Sequence, residues 1–192
     1  MILVTGGTGF LGSHLLFHLV SSGEKVRALK RKSGDLKNIR NVFEYYKEGS
    51  SALVDLIEWV DSDLLDYISI VDCMKDIKYV YHSAALVSFN NHDRKKMMDA
   101  NVRGTANIVN AALINNIEKL CFVSSIAAFG KHEDNLIIDE QTPRSPSQKR
   151  SVYSLSKYKA ELEVWRGIAE GLEAVIVNPS VILGYYSWNY GS

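Results

Sequence analysis

The chain has 192 residues, and its apolar share of 46% and charged share of 23% are close to the averages of globular domains. This length suits one α/β domain with a sizeable core, so we predict a single domain over residues 1–192. The 22 Lys and Arg residues balance the 22 Asp and Glu residues. No net field attracts nucleic acid or an acidic membrane, and we expect neither as a partner.

Cysteine usage and hydropathy indicate the compartment. Cys73 and Cys121 lie in apolar segments without the spacing of a zinc site, so we expect buried, inert thiols in a reducing compartment and no metal. No charged leader precedes the first apolar segment, and no apolar run reaches the length of a membrane span. These features predict a cytoplasmic protein.

The first motif is a glycine-rich turn between an apolar strand and a helix. Residues 1–5 read as a strand, and Gly6, Gly9 and Gly12 follow at three-residue intervals. Leucines at helical spacing come next. Glycines let such a turn bring its N–H groups close to a pyrophosphate at a helix N-terminus. We predict a dinucleotide site here; the alternative is a glycine-rich surface turn.

Strands and helices then alternate to the end of the chain. Predicted strands lie at 24–30, 56–60, 79–82, 119–123 and 174–177, and helices after the first at 36–48, 67–76, 93–115 and 152–170. This alternation predicts an α/β fold of the Rossmann type, a doubly wound parallel sheet with helices on both faces. The ligand crevice should lie at the carboxyl ends of the strands, with the loop at 131–150 and the tail at 184–192 on its substrate side.

Tyr153 and Lys157 are the strongest chemical pair in the sequence. They lie four residues apart and therefore on one face of a helix. A phenol with a reference pKa near ~10 becomes a useful acid or base when a neighbouring ammonium favours its ionised form. Ser124 and Ser125 follow the fifth strand, which the crevice rule places beside this helix. The alternatives are an exposed helix pair and two capping serines.

Seven motifs in order make the chain similar to the extended short-chain dehydrogenase/reductases, the NAD-dependent epimerase/dehydratase group. They are TGGTGFLG from Thr5, DL from Asp63, HSAA from His82, NVRGT from Asn101, SS-x-x-x-x-G from Ser124, YSLSK from Tyr153 and NPS-x-x-x-G from Asn178. The second strand and the last motif most resemble the dihydroflavonol reductase-like branch. Members of this branch reduce ketones or oxidise alcohols, so a small carbonyl or alcohol substrate is implied.

The resemblance also implies roles for individual residues. Tyr153 would be the catalytic acid/base, Lys157 would favour its ionised form and hold the nicotinamide ribose, and Ser125 would orient the reacting oxygen, while Ser124 would be structural. Cofactor contacts would come from Gly6, Gly9, Phe10, Leu11 and Gly12 at the pyrophosphate, Asp63 and Leu64 at the adenine, Ala84, Ala85 and Asn101 along the cofactor, and Pro179 and Ser180 at the nicotinamide. Hydride exchange would be coupled to proton transfer through the tyrosine.

The end of the second strand indicates which dinucleotide binds. A site selective for NAD places a carboxylate there, but this chain has Lys30, Arg31 and Lys32. Cations suit a 2′-phosphate, and an arginine can bind it in bidentate fashion. We predict NADP(H) as the preferred cofactor with NAD(H) possible; the alternative is a solvated basic loop.

Two other functions stay open. Nucleotide-sugar epimerases and dehydratases share the catalytic residues, and a non-catalytic NADP-binding sensor would keep only the dinucleotide site. Family members continue beyond the NPS-x-x-x-G motif into a variable region over the substrate, so we expect that subdomain to be missing or truncated in this chain.

Several residues outside these motifs have simpler interpretations. We expect His14 and His18 to be surface or interface residues rather than metal ligands, and His82 and His132 are weak candidates for substrate contact. Methionines 97 and 98, with Leu162 and Trp165, read as packing residues. The two long helices often form a dimer interface in the family, which implies a homodimer.

Overall fold

The computed structural model describes residues 1–32, 34–88, 90–129, 139, 140, 142 and 151–186. Its strands are β1 (Ile2–Thr5), β2 (Val26–Lys30), β3 (Glu58–Asp61), β4 (Tyr79–His82), β5 (Lys119–Val123) and β6 (Ala174–Val177). Its α-helices are α1 (Phe10–Ser21), α2 (Lys37–Tyr46), α3 (Tyr67–Cys73), α4 (Arg94–Met98), α5 (Gly104–Ile114) and α6 (Val152–Ala169). A π-helical segment, Asp99–Arg103, joins α4 to α5.

The six strands form one parallel sheet in the order β3-β2-β1-β4-β5-β6. The direction of strand addition reverses between β1 and β4, and ligands of such sheets bind at that switch point, outside the carboxyl ends of the strands. The register pairs Thr5 with His82, Lys30 with Asp61, and Val123 with Val177 at that edge. The predicted doubly wound Rossmann-type sheet is confirmed.

Apolar side chains of the strands alternate between two buried layers. Leu3, Val80 and Phe122 pack against α3, α5 and α6 on one face, and Val4 and Ala28 pack against α1 and α2 on the other. Helices cover both faces of the sheet, and its central strands are apolar on both sides, as expected for parallel sheets. At the edge strand β6, Val175 and Val177 are exposed. The helices on both faces are confirmed.

Element bounds follow the predictions closely at β4, β5 and β6 and differ at β3. The predicted strand at 56–60 begins later, at Glu58, because Ser50–Leu56 forms a 3-10 helix. The predicted helix at 93–115 is interrupted by the π-helical segment. At α6, the side chain of Ser151 accepts a hydrogen bond from the N–H of Ser154 and caps the helix.

Three packing predictions need correction. Cys73 is buried, but Cys121 is only half-buried; burial raises the pKa of both thiols. Met97 is fully buried, whereas Leu162 and Trp165 are 45% and 52% exposed and do not pack in the core of the chain. The reason is that both residues lie outside the buried face of α6, which packs against the sheet.

Some predicted features lie outside the described residues. These are His132, the loop at 131–150 except for residues 139, 140 and 142, and residues 187–192 of the tail. Among the described residues, no helix has the length and apolar character needed to cross a membrane.

Candidate active site

The glycine-rich turn lies at the carboxyl end of β1, beside the end of β4. Gly6 has a φ of +72°, and a Cβ at this position would lie 2.7 Å from the backbone of Ala84. A Cβ on Gly12 would lie 2.1 Å from the carbonyl oxygen of Gly6. The Gly9 N–H donates to the same carbonyl at 2.9 Å. Positions 6 and 12 therefore require glycine, because any Cβ there would clash with the backbone.

The turn opens into the N-terminus of α1, which suits an anion. The N-cap residue Gly9 makes no side-chain capping bond, and the first turn carries no acidic residue. The N–H groups of this turn have no acceptor within the helix, and the helix dipole favours negative charge there. Phe10 and Leu11 are half-buried in this turn. The geometry fits the pyrophosphate of a dinucleotide.

The cations predicted to bind a 2′-phosphate lie at the same carboxyl edge of the sheet, where β2 ends beside β1. Lys30 forms an ion pair with Asp61 at the end of β3, and its side chain is only 18% exposed. Arg31 and Lys32 are exposed. Sequence reasoning missed Asp61 because the predicted third strand stopped one residue before it. A carboxylate is therefore present at this end of the crevice, although it comes from the neighbouring strand.

The residues assigned to adenine and to the cofactor backbone lie at the same edge. Asp63 is exposed, and its carboxylate accepts a hydrogen bond from the N–H of Leu65 at 2.9 Å. Leu64 is half-buried and lies against Gly104 of α5. After β4, Ala84 is half-buried against the glycine-rich turn and Ala85 is exposed.

The first turn of α6 is tied to the turn that follows β5. The hydroxyl of Ser125 accepts a hydrogen bond from the Ala127 N–H at 3.2 Å, and the hydroxyl of Ser154 donates to the Ala127 carbonyl at 2.6 Å. Tyr153, the residue before Ser154, is half-buried. The structure therefore brings the segments that carry Ser125 and Tyr153 together.

Lys157 lies one helical turn beyond Tyr153 and is buried. Its Nζ donates to the carbonyl of Val123 at 2.7 Å and lies 4.6 Å from the centre of the Phe122 ring. Desolvation lowers the pKa of Lys157 to about 8, and the negative charge of Glu161 opposes this shift. The ammonium is thus held at the end of β5, against the helical turn of Tyr153.

Glu161 is a buried carboxylate that sequence reasoning missed. It accepts hydrogen bonds from the Ser124 hydroxyl at 2.5 Å and from the Asn178 amide at 2.6 Å. These contacts hold the ends of β5 and β6 to α6. Its position four residues after Lys157, on the same helix face, is the signal that could have found it.

The end of β6 completes the edge. The carbonyl of Pro179 accepts a hydrogen bond from the Ile126 N–H at 3.1 Å, which joins this strand end to the turn after Ser125. Pro179 is half-buried and Ser180 is exposed. Both lie at the carboxyl end of the sheet, where the resemblance places the nicotinamide.

Asn101 and His82 also lie in the interior. Asn101 is buried, and its amide bonds to the backbone of Leu86 and to the Ser156 hydroxyl. His82 is fully buried, with both ring nitrogens in hydrogen bonds to threonine hydroxyls. The suggestion that His82 contacts substrate is therefore wrong, because the ring ends a central strand beneath α5.

The histidines of α1 take part in an aromatic cluster. His14 bonds to the Tyr46 hydroxyl and to the Tyr185 carbonyl, each at 2.8 Å. His18 is exposed and lies 5.0 Å from the Tyr46 ring, centre to centre. His14 is thus half-buried with protein partners on both ring nitrogens, and of the two histidines only His18 is an exposed surface residue.

Comparison with known proteins agrees with this geometry. Residues 2–191 match the model of the NAD dependent epimerase/dehydratase family. The chain belongs to this family. A putative dihydroflavonol 4-reductase of Synechocystis is 37% identical over 94% of the chain, and a putative UDP-glucose 4-epimerase of Methanocaldococcus jannaschii is 32% identical over 96%.

A solved member of similar fold is MoeE5 in complex with UDP-glucose and NAD. It has a TM-score of 0.69 and 28% identity, and the match covers 91% of the chain and 52% of MoeE5. The chain likewise spans 49% of the dihydroflavonol reductase and 56% of the epimerase. It thus spans about half the length of these relatives.

Proposed function

We propose that this chain forms the cofactor-binding and catalytic half of an NADP(H)-dependent oxidoreductase that interconverts a ketone and an alcohol. The observation that carries this proposal is the junction of β5 and α6, where the turns of Ser125 and Tyr153 are tied together over the buried Lys157. A phenol, a hydroxyl and an ammonium at one junction suit reversible proton transfer to a carbonyl oxygen.

In this proposal the catalytic residues divide the chemistry among them. The nicotinamide supplies or accepts the hydride when bound. Tyr153 gives a proton to the substrate oxygen, or removes it, through its phenol oxygen. The cation of Lys157 favours the ionised phenol, and the hydroxyl of Ser125 donates a hydrogen bond that orients the same substrate oxygen. Lys157 would also hold the nicotinamide ribose.

Cofactor binding is proposed for residues at the carboxyl edge of the sheet and for the buried Asn101 behind it. The full set comprises Gly6, Gly9, Phe10, Leu11, Gly12, Lys30, Arg31, Asp63, Leu64, Ala84, Ala85, Asn101, Tyr153, Lys157, Pro179 and Ser180. The exposed guanidinium of Arg31 supports NADP(H) as the preferred cofactor. The ion pair of Lys30 with Asp61 reduces the positive charge at this position, so NAD(H) remains the second cofactor.

The similarity to a putative UDP-glucose 4-epimerase supports a second candidate, a nucleotide-sugar epimerase. A dehydratase is less well supported, because the first turn of α6 around Tyr153 carries no acidic residue. A non-catalytic NADP-binding sensor is disfavoured by the intact set of Ser125, Tyr153 and Lys157.

We also propose that the protein is a cytoplasmic homodimer. The exposure of Leu162 and Trp165 on α6 supports a partner surface there, since single-chain packing leaves both apolar side chains in solvent. A monomeric mass in solution would contradict this part of the proposal.

Turnover by the full-length gene product that contains this chain tests the function. We expect NADPH oxidation with ketones in a carbonyl panel and a smaller rate with NADH. Interconversion of UDP-glucose without added cofactor would favour the epimerase. Tight NADPH binding without turnover of either substrate class would favour the sensor.

A further inference from the structure

A continuous series of buried polar side chains runs behind the proposed site. Its members are Thr5, His82, Thr105, Asn101 and Ser156, and each is at most 2% exposed. They come from β1, β4, α5, the π-helical segment and α6. Polar groups at this depth destabilise a fold unless each is hydrogen-bonded, so the direction of every bond in the series can be worked out.

The directions around His82 follow from the fact that a hydroxyl has one proton. The Thr105 hydroxyl donates that proton to the backbone carbonyl of Asn101 at 2.6 Å. Toward His82 Nε2, at 2.9 Å, it can only accept, so Nε2 carries the imidazole proton. His82 Nδ1 then accepts from the Thr5 hydroxyl at 2.7 Å, and Thr5 accepts from the Ala84 N–H at 3.3 Å.

The second half of the series continues from Asn101 to the helix of Tyr153. The Asn101 amide nitrogen donates to the carbonyl of Leu86 and to the hydroxyl of Ser156, both at 2.9 Å, and its oxygen accepts from the Leu86 N–H at 2.7 Å. Ser156 then donates to the carbonyl of Tyr153 at 2.7 Å. Asn101 lies in the π-helical segment, a feature that is frequent at functional sites.

We propose that His82 is a positioning residue that keeps the helical turn of Tyr153 in place relative to the glycine-rich turn. It acts through Thr105, Asn101 and Ser156, and it requires the tautomer with the proton on Nε2. The opposite tautomer would leave Nε2 without a proton and set two acceptors, Nε2 and the Thr105 hydroxyl oxygen, against each other. This inference rests on the proposed role of Tyr153.

The charged group that faces the His82 ring is Lys157, and the Phe122 ring lies 5.4 Å from the His82 ring between centres, tilted by 34°. Burial, and to a smaller extent the positive charge of Lys157, lowers the pKa of His82 to about 3. The ring is therefore neutral at neutral pH, as the two fixed hydrogen bonds require.

Two serines allow a matched test in the full-length gene product that contains this chain. Ser156→Ala removes the last bond of the series, whereas Ser50→Ala removes a buried hydroxyl that donates to the carbonyl of Phe43 at 2.6 Å, away from the site. Small displacements of a reacting group are costly, so Ser156→Ala should lower kcat by about tenfold or more. The KM for NADPH should stay within about twofold, and Ser50→Ala should leave kcat unchanged.

Thr105 provides the rescue experiment. Thr105→Val keeps the shape but removes the hydroxyl, and Thr105→Ser keeps the hydroxyl but removes a methyl group. We expect the valine variant to lose kcat as Ser156→Ala does and the serine variant to keep it. A purely structural role would lower the melting temperature in both variants without this split in kcat.

The possible results separate the two proposals. If Ser156→Ala and Thr105→Val keep the wild-type kcat while Tyr153→Phe loses it, the positioning role of His82 is wrong and the proposed function stands. If Tyr153→Phe also keeps the wild-type kcat, the proposed function itself is wrong. A long-range ¹H–¹⁵N spectrum that puts the His82 proton on Nδ1 would also overturn the positioning role.

Discussion

The two ends of the proposed crevice are built in different ways. At the adenosine end, beside β2 and β3, Arg31 is exposed and Lys30 pairs with the carboxylate of Asp61 at the surface. At the catalytic end, beside β5 and β6, Lys157 and Glu161 are buried and held by hydrogen bonds. Exposed charges are screened by water and salt, whereas buried groups depend on every contact. Selectivity should therefore be easy to alter at the first end, and catalytic rate easy to lose at the second.

The largest effect on cofactor binding is expected between these ends, at Gly12. Its replacement by alanine forces a Cβ to within 2.1 Å of the Gly6 carbonyl oxygen. Because backbone cannot yield cheaply, dinucleotide affinity should fall by about 100-fold or more. Equilibrium titration with NADPH measures the loss. Gly23→Asn is the control, because a Cβ at Gly23 meets nothing within 4 Å and asparagine tolerates its φ of +82°. Unchanged NADPH affinity in Gly12→Ala would mean that the pyrophosphate binds elsewhere.

At the adenosine end, Arg31→Asp should change which cofactor is used. Loss of a charge-assisted bond to a 2′-phosphate should raise the KM for NADPH by about 10- to 100-fold and leave the KM for NADH within about twofold. Steady-state kinetics with both cofactors gives the comparison. Lys25→Asp, an exposed charge reversal at the other end of the same strand, should change neither value. Equal effects of Arg31→Asp on the two cofactors would refute selectivity through this residue.

At the catalytic end, the buried ammonium of Lys157 should set the pH above which carbonyl reduction slows. The pKa of Lys157 is lowered from 10.5 to about 8, so this residue loses its proton in a range where an ordinary lysine stays charged. The kcat/KM for carbonyl reduction should therefore fall about tenfold per pH unit above about 8. A rate profile from pH 6 to 10 tests this, and a flat profile to the alkaline end would contradict it.

The last prediction is for the pH dependence of stability, which the buried ring of His82 should influence. The pKa of His82 falls from 6.5 to about 3 on folding, so the unfolded chain binds more protons in this range. The contribution of neutral His82 to stability is fully present above about pH 6.5. Below that pH the free energy of unfolding should fall by about 1.4 kcal/mol per pH unit. Urea unfolding of the wild type and of His82→Gln measures the difference between their slopes. The exposed His18, changed to Gln, serves as control; a wild-type slope in His82→Gln would mean that the ring is not buried neutral.

The sequence predicted the fold well because local and global signals agree there. Apolar runs such as Lys119–Val123 and Ala174–Val177 form strands with the predicted bounds. β2 and β3 each begin two residues later than predicted, β3 because the pattern of Ser50–Leu56 belongs to a 3-10 helix. Short mixed segments of this kind carry no clear period, so their bounds depend on packing.

Site residues could be predicted where they lie in a local sequence motif. They were predicted less well where their contacts depend on which strands are neighbours in the sheet. Gly12 and Tyr153 lie in motifs with local spacing, but the partner of Lys30 is Asp61 on another strand. The burial of His82 and Glu161 likewise depends on packing between separate elements: His82 of β4 contacts β1 and α5, and Glu161 of α6 contacts the ends of β5 and β6. No single segment of sequence contains that information, because it depends on which strands become neighbours.

The most direct measurement is the turnover rate of Tyr153→Phe in the full-length gene product that contains this chain. Removing the phenol hydroxyl removes the proposed proton donor, so kcat for NADPH-dependent carbonyl reduction should fall about 10²- to 10⁴-fold. NADPH affinity should persist, and Tyr79→Phe, at the opposite edge of the sheet, should retain full rate. A Tyr153→Phe protein that works at the wild-type rate would contradict the proposed function.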